Sequence, residues 1–132
     1  MLEIISPHTF RRDTGPKRRI YAELGAREYF LFDTQVSALL IPSLQGFRLV
    51  DGVCQPIPDA PSGGLYSEVL QLEFRDERRP DGENWLFLRD PATGTRLPTV
   101  AEAEARREAE ARAAAAEAEI ERLRAALAQR AR

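Results

Sequence analysis

Two short apolar runs, set one helix apart, constrain the fold of this chain more than any other feature. Leu2-Glu3-Ile4-Ile5 is β-branched and too short for a helix, so it reads as a buried strand. The stretch from Ser6 to Pro16 supplies turn and helix-start chemistry, with Asp13 or Thr14 as N-cap and Pro16 near the first helical position. Lys17 to Gly25 continues as a helix of about ten residues, its apolar face made by Ile20, Tyr21 and Leu24, with Gly25 as its stop. Glu28 to Phe32 is again strand-like and is closed by Asp33. Strand, helix and strand at this spacing predict a βαβ unit with parallel strands and a right-handed crossover.

From about Thr34 to Pro98 the pattern changes to short runs separated by Pro and Gly. Leu70, Leu72 and Phe74 alternate with Gln71, Glu73 and Arg75, the period of a half-exposed strand. Leu49 to Val53 reads as a hairpin turning at Asp51-Gly52, Trp85 to Leu88 as a further strand, and Asp90 to Gly94 as a turn. Pro56 to Gly64 is a loop. These pieces are expected to lengthen the sheet with antiparallel strands.

The remainder, from Thr99 to Arg132, is almost wholly Ala, Glu and Arg, which predicts one long helix. Thr99 is its N-cap, and Glu102 completes a capping box. Ala113, Ala116, Ile120, Leu123 and Leu127 recur at alternating spacings of three and four, a coiled-coil seam whose last half alone carries large side chains. That seam predicts a homodimer through the helix; the alternative is a solvated helix that pairs with nothing. The chain thus divides into residues 1–98 and 99–132, an α/β domain and a helical appendage.

Composition excludes several classes. No apolar stretch approaches the roughly 20 residues needed to cross a bilayer, so no membrane partner is expected. No basic segment followed by an apolar one precedes the first strand, so no secretory leader is predicted. One cysteine, Cys54, forbids an internal disulfide and fits a reducing cytoplasm. Cys54 lacks a basic neighbour that would activate it and reads as structural. With His8 as the one histidine, there is no Cys/His zinc set, and His8 itself reads as a plain loop residue. At a net charge of -2, affinity for nucleic acid must come from a local patch.

One constellation could carry chemistry. Asp13, Lys17 and Tyr21 are four apart and share a helix face. Lys17, Arg18 and Arg19 crowd a first turn, where the macrodipole disfavours each cation by about 0.3–1 kcal/mol. Asp13, a carboxylate from the neighbouring strand, or a phosphate should offset that. In a βαβ unit the helix packs on its own strand, which would bring Lys17 near Glu3. A carboxylate holding a divalent cation beside a lysine that stabilises developing charge suits metal-assisted phosphodiester cleavage. The plain alternatives are a glutamate at a solvated strand edge and basic residues that are surface charge. Arg11, Arg12, Arg18 and Arg19 are candidate contacts to a phosphate backbone.

The segment LEIISPHTFRRDTGPKRRIYAELGAREYFLFD resembles the central segment of the Uma-two family of endonucleases, in the PD-(D/E)XK nuclease superfamily. The resemblance lies in Glu3, Ser6, Pro7, Asp13, Lys17, Tyr21, Gly25, Glu28, Tyr29 and Asp33, with Phe30 where Trp is common. It continues through LQGFRLVDGVCQPIP, SEVLQLEFR and DPATGTRLPT, and so spans nearly the whole chain. It implies a restriction-endonuclease-like α/β core with a Mg²⁺ (or Mn²⁺) site acting on nucleic acid, DNA foremost. Glu3 would be the metal ligand. The superfamily's usual lysine position, two residues after the glutamate, is Ile5 here, which leaves Lys17 as the substitute. The family also carries a further segment before this strand, with a Pro-Asp motif whose aspartate is the other main metal ligand. The expectation is therefore a partial fold whose first strand begins in mid-core, handicapped as a nuclease or inactive and kept as a dimerising module.

Overall fold

A computed structural model describes residues 1–35 and 39–131. The chain falls into two compact units, Met1–Leu97 and Pro98–Arg132. The first is mixed α/β: β1 (Leu2–Ile5), α1 (Phe10–Asp13), α2 (Pro16–Glu23), β2 (Glu28–Asp33), β3 (Leu44–Val50), β4 (Val53–Pro56), β5 (Leu65–Ser67), β6 (Leu72–Arg78) and β7 (Asn84–Arg89). β1 to β4 form one sheet in sequence order, and β5 to β7 form a second. β1 and β2 are parallel, with Leu2 opposite Phe30 and Ile5 opposite Asp33. All other strand pairs are antiparallel.

The connection between β1 and β2 is helical but broken. Ser6 starts it: its carbonyl accepts from the amides of Thr9 and Phe10, which winds the first turn into α1. Pro16 cannot donate to a carbonyl four residues back, and its ring would clash there, so the helix ends and restarts. Pro16 is the first helical residue of α2, as expected, but the N-cap is Gly15 rather than Asp13 or Thr14. Thr14 instead turns its hydroxyl back to the Phe10 carbonyl at 2.8 Å. The stop falls at Gly25, whose φ of +79° is the left-handed conformation that favours glycine. The amide of Ala26 then closes on the Tyr21 carbonyl at 2.8 Å.

Strand β1 departs from the reading of LEIIS as a buried strand. It is the outermost strand of its sheet, and only Ile5 is buried; Leu2 and Ile4 are 38% and 52% exposed. Burial is complete one strand further in, where every residue of β2 is buried. On one face Phe30 and Phe32 pack with Leu44, Ile57, Leu65 and Phe74, beneath Leu86 and Leu88. On the other, Tyr29 and Leu31 pack with Ile5 and Leu40 beneath Phe10 and Tyr21.

The residues after β4 do not lengthen the first sheet. They form the second sheet, stacked over the Phe30 face, with the Phe30 and Phe74 rings 4.3 Å apart. Leu70, expected in a strand with Leu72 and Phe74, lies half exposed in the turn before β6, where Gln71 has a φ of +57°. The Asp51-Gly52 hairpin is as read, both residues having positive φ, the twist that matches its flanking strands. Glu28 joins the two sheets. Its Oε1 accepts from Arg48 Nη2 at 3.2 Å and the Glu68 amide at 2.8 Å, its Oε2 accepts from the Ser67 hydroxyl, and Arg48 Nη2 also donates to the Tyr66 carbonyl.

The second unit is α3 (Val100–Arg130), a helix of 31 residues with no buried residue. Its capping box is complete: Thr99 Oγ1 accepts from the Glu102 amide, and Glu102 Oε2 accepts from the Thr99 amide at 2.7 Å. No helix among the described residues is long and apolar enough to cross a membrane.

Two substitutions test this packing. A Cβ on Gly46 would stand 2.8 Å from Phe30 Cε1 and 3.2 Å from Ile57 Cδ1. Gly46→Ala should therefore destabilise the unit by about 1–3 kcal/mol through overpacking, read as a lower urea midpoint. Arg48→Ala removes the one cation paired with the buried Glu28 carboxylate among the described residues and should cost about 3–5 kcal/mol in the same titration, against little change for an exposed control such as Arg107→Ala.

Candidate active site

Strand alternation decides which way Glu3 points. Ile5, two residues on, is buried among Tyr29, Phe10 and Tyr21, so Glu3 faces the helical side as well. Lys17 and Tyr21, one turn apart on α2, meet it there. Lys17 Nζ stands 3.3 Å from Glu3 Oε1, and the Tyr21 hydroxyl donates to the same oxygen at 2.9 Å. Asp13, at the end of α1, places Oδ1 2.7 Å from Lys17 Nζ. One ammonium thus sits between two carboxylates, and the cluster carries a net charge of -1. This removes the helix-dipole difficulty for Lys17, while Arg18 is placed over the Phe47 ring, 4.6 Å from its centroid.

The two carboxylates are not equivalent. Glu3 is about one-fifth exposed, and its contacts with Lys17 and Tyr21 both use Oε1; among the described residues no hydrogen bond to Oε2 is formed. Asp13 is fully buried, and among the described residues its carboxylate oxygens are the buried side-chain atoms without a hydrogen bond of ordinary geometry. Oδ1 has the ion pair with Lys17, and Oδ2 accepts no hydrogen bond from the described residues. A fixed cation is what makes that burial tolerable. Tyr29, reaching across from β2, donates to the Asp13 backbone carbonyl at 2.9 Å and so pins the end of α1.

Proton affinities follow from these contacts. The Asp13 carboxylate raises the Lys17 ammonium above its ordinary value; partial desolvation opposes this, and Glu3 adds to the rise. Tyr21 is raised by its hydrogen bond to Glu3, then by desolvation. Tyr29 is pushed up strongly, first by burial and then by the Glu3 and Asp13 charges. Lys17 is therefore a fixed cation and not a base, and Tyr21 stays a neutral donor that orients Glu3.

Two hard-oxygen residues do not make a closed metal site, and among the described residues no group of three or more His, Cys, Asp or Glu could hold an ion. Glu3 Oε2 is suited to donate one oxygen to a divalent cation. Asp13, buried behind Lys17, is not. Mg²⁺ is commonly held by one or two carboxylates with water and substrate phosphate completing its shell, so the residues fit it through Glu3 alone.

The candidate phosphate contacts divide. Arg18 and Arg19 line an open cleft of about 450 Å³ with Gly15, Pro16, Gly52 and Cys54, a cleft that neither Glu3 nor Lys17 lines. Arg11 and Arg12 are exposed on α1 and do not line it. His8 lies exposed in the turn after β1. Sequence reasoning had no role for Tyr29 and did not foresee that Asp13 would be buried. The available signal was the tyrosine beside Phe30, Leu31 and Phe32 in the apolar middle of the strand, since a buried hydroxyl requires an acceptor. No family model, curated protein or solved structure matches this chain.

The pH dependence of stability has a definite sign. Lys17, Tyr21 and Tyr29 all bind protons more tightly in the folded chain, from ordinary values of 10.5, 10.0 and 10.0. Their contribution is complete below those values and is lost as pH rises through the raised ones. The urea midpoint should be level between about pH 7 and 9 and lower at about pH 11. Tyr29→Phe should cost about 0.5–1.5 kcal/mol at neutral pH while flattening the alkaline fall. An alkaline fall of the same size in Tyr29→Phe would contradict the assignment.

Proposed function

We propose that this chain is a nuclease of the Uma-two type, with a restriction-endonuclease-like core, that hydrolyses phosphodiester bonds of nucleic acid, DNA foremost, with Mg²⁺ or Mn²⁺. One observation carries the reading: Lys17, the lysine that the resemblance pairs with Glu3, and Tyr21, of the same segment, converge on a single Glu3 carboxylate oxygen within 3.3 Å. Glu3 would hold the cation through Oε2. When bound, that cation supplies Lewis-acid polarisation of the phosphate and an activated water. Lys17, kept protonated by Asp13, stabilises the charge that develops on phosphate oxygens. Tyr21, donating to Oε1, holds the Glu3 carboxylate in place. Arg18 and Arg19, in the neighbouring cleft, suit contact with the phosphate backbone, and the single cysteine fits action in the cytoplasm.

A specific observation favours a second reading, in which the chain does not cleave and acts as a structural, dimerising module. The Lys17 ammonium already satisfies much of the negative charge of Glu3 and Asp13, and Glu3 alone is open to a cation. In either reading α3 pairs with a second copy, because Ile120, Leu123 and Leu127 are 47%, 52% and 65% exposed along one stripe.

Incubation of supercoiled plasmid with Mg²⁺ or Mn²⁺ separates the two. The nuclease reading expects metal-dependent nicking that is abolished in Glu3→Ala and falls about 10²–10³-fold in Lys17→Ala. Equal background in the wild type and in Glu3→Ala would establish the non-cleaving module instead.

A further inference from the structure

We propose that α3 joins α3 of a second copy as a parallel, in-register, two-stranded coiled coil. This rests on the homodimer reading above and specifies its geometry. Three observations lead to it.

The first is that α3 has no buried residue along its 31 residues, yet it presents a periodic apolar stripe. Written as heptads, Ala113, Ile120 and Leu127 fall at a, and Ala116 and Leu123 at d. A β-branched residue at a followed by leucine at d is the combination that favours two parallel strands.

The second is charge. The positions flanking that stripe are Arg112 and Glu119 at g, and Glu117 and Arg124 at e. In a parallel pair each g residue meets the e residue five places on in the other chain. Arg112 then faces Glu117, and Glu119 faces Arg124, in both directions across the two-fold axis. The helix is complementary to itself in the parallel, in-register alignment. A slip of one heptad sets Arg112 against Arg124 and Glu119 against Glu117, two like-charge contacts, so the charges select register as well as partner.

The third is that these side chains are available for exchange. Within one helix Glu119 pairs with Arg122 at 2.7 Å and Arg124 with Glu121 at 2.8 Å, all four well exposed to solvent. Pairs of that kind are weakly held. Arg112 donates from Nε to the Glu108 carbonyl of its own helix at 3.3 Å.

The test uses the full chain with Cys54→Ser, which leaves an introduced cysteine as the one thiol. Ala116→Cys, in the seam, should oxidise to a symmetric disulfide dimer, while Ala118→Cys, on the outer face, should not. Sedimentation equilibrium on charge variants provides an independent measure. Arg112→Glu should weaken the dimer about tenfold, and the double variant Arg112→Glu/Glu117→Arg should restore it to within about twofold of the wild type. Circular dichroism confirms that helix content is unchanged in each. A dimer that fails to cross-link through Ala116→Cys, or that ignores the charge swap, overturns the parallel register and leaves the homodimer reading standing. A monomer at all concentrations overturns both. None of these readouts depends on cleavage of nucleic acid.

Discussion

Strand β2 is the constraint on which the first unit depends. Its six consecutive residues are all buried, which requires cover on both faces. A four-stranded sheet cannot bury its own central strand. The second sheet must therefore sit over Phe30 and Phe32, and the helices over Tyr29 and Leu31. The polar residues at its two ends become obligations in turn. Glu28 collects Arg48, Ser67 and the Glu68 amide, while Asp33 accepts from the amides of Gln35 and Leu40. The Glu28 network fixes the remote turn that follows β5, while Asp33 holds residues that follow it closely in sequence.

The same strand builds the candidate site indirectly. Tyr29 holds the end of α1, which fixes Asp13; Asp13 holds Lys17, and Lys17 meets Glu3. The order of this chain matters energetically. A buried aspartate and a partly exposed glutamate share one lysine, so the lysine is held chiefly from the buried side. Its ammonium is kept charged and still, the condition under which a fixed cation acts on a developing charge without having to reorganise.

Much of this was legible in the sequence because it is local. Parallel pairing of the first two strands follows from the chain length between them, the turn at Asp51-Gly52 from a dipeptide that tolerates two positive φ values cheaply, and the helix start at Thr99 from its capping box. Glu3 and Lys17 could be brought together by alternation and helix spacing alone. What failed was non-local. β5 has three residues, too few for a period to declare itself, and without it the β6–β7 hairpin reads as a continuation of the first sheet. Asp13 carries every mark of a cap in sequence; its burial is imposed by Tyr29, 16 residues away and on another element. The break at Pro16 was half visible: the proline's place in α2 could be read, but not the separate turn of helix before it.

The outer rim of β1 has a consequence for handling the protein. An unpaired strand edge is ordinarily guarded by a charge or a proline pointing along it. β1 has one charged side chain, Glu3, and it is turned inward to Lys17 and Tyr21, while Leu2 and Ile4 present hydrocarbon to water on the other face. The residue that would deter stray strands is held inward by Lys17 and Tyr21. Edge-to-edge association in concentrated preparations is the expected consequence, and it arises from the same contacts that assemble the candidate site.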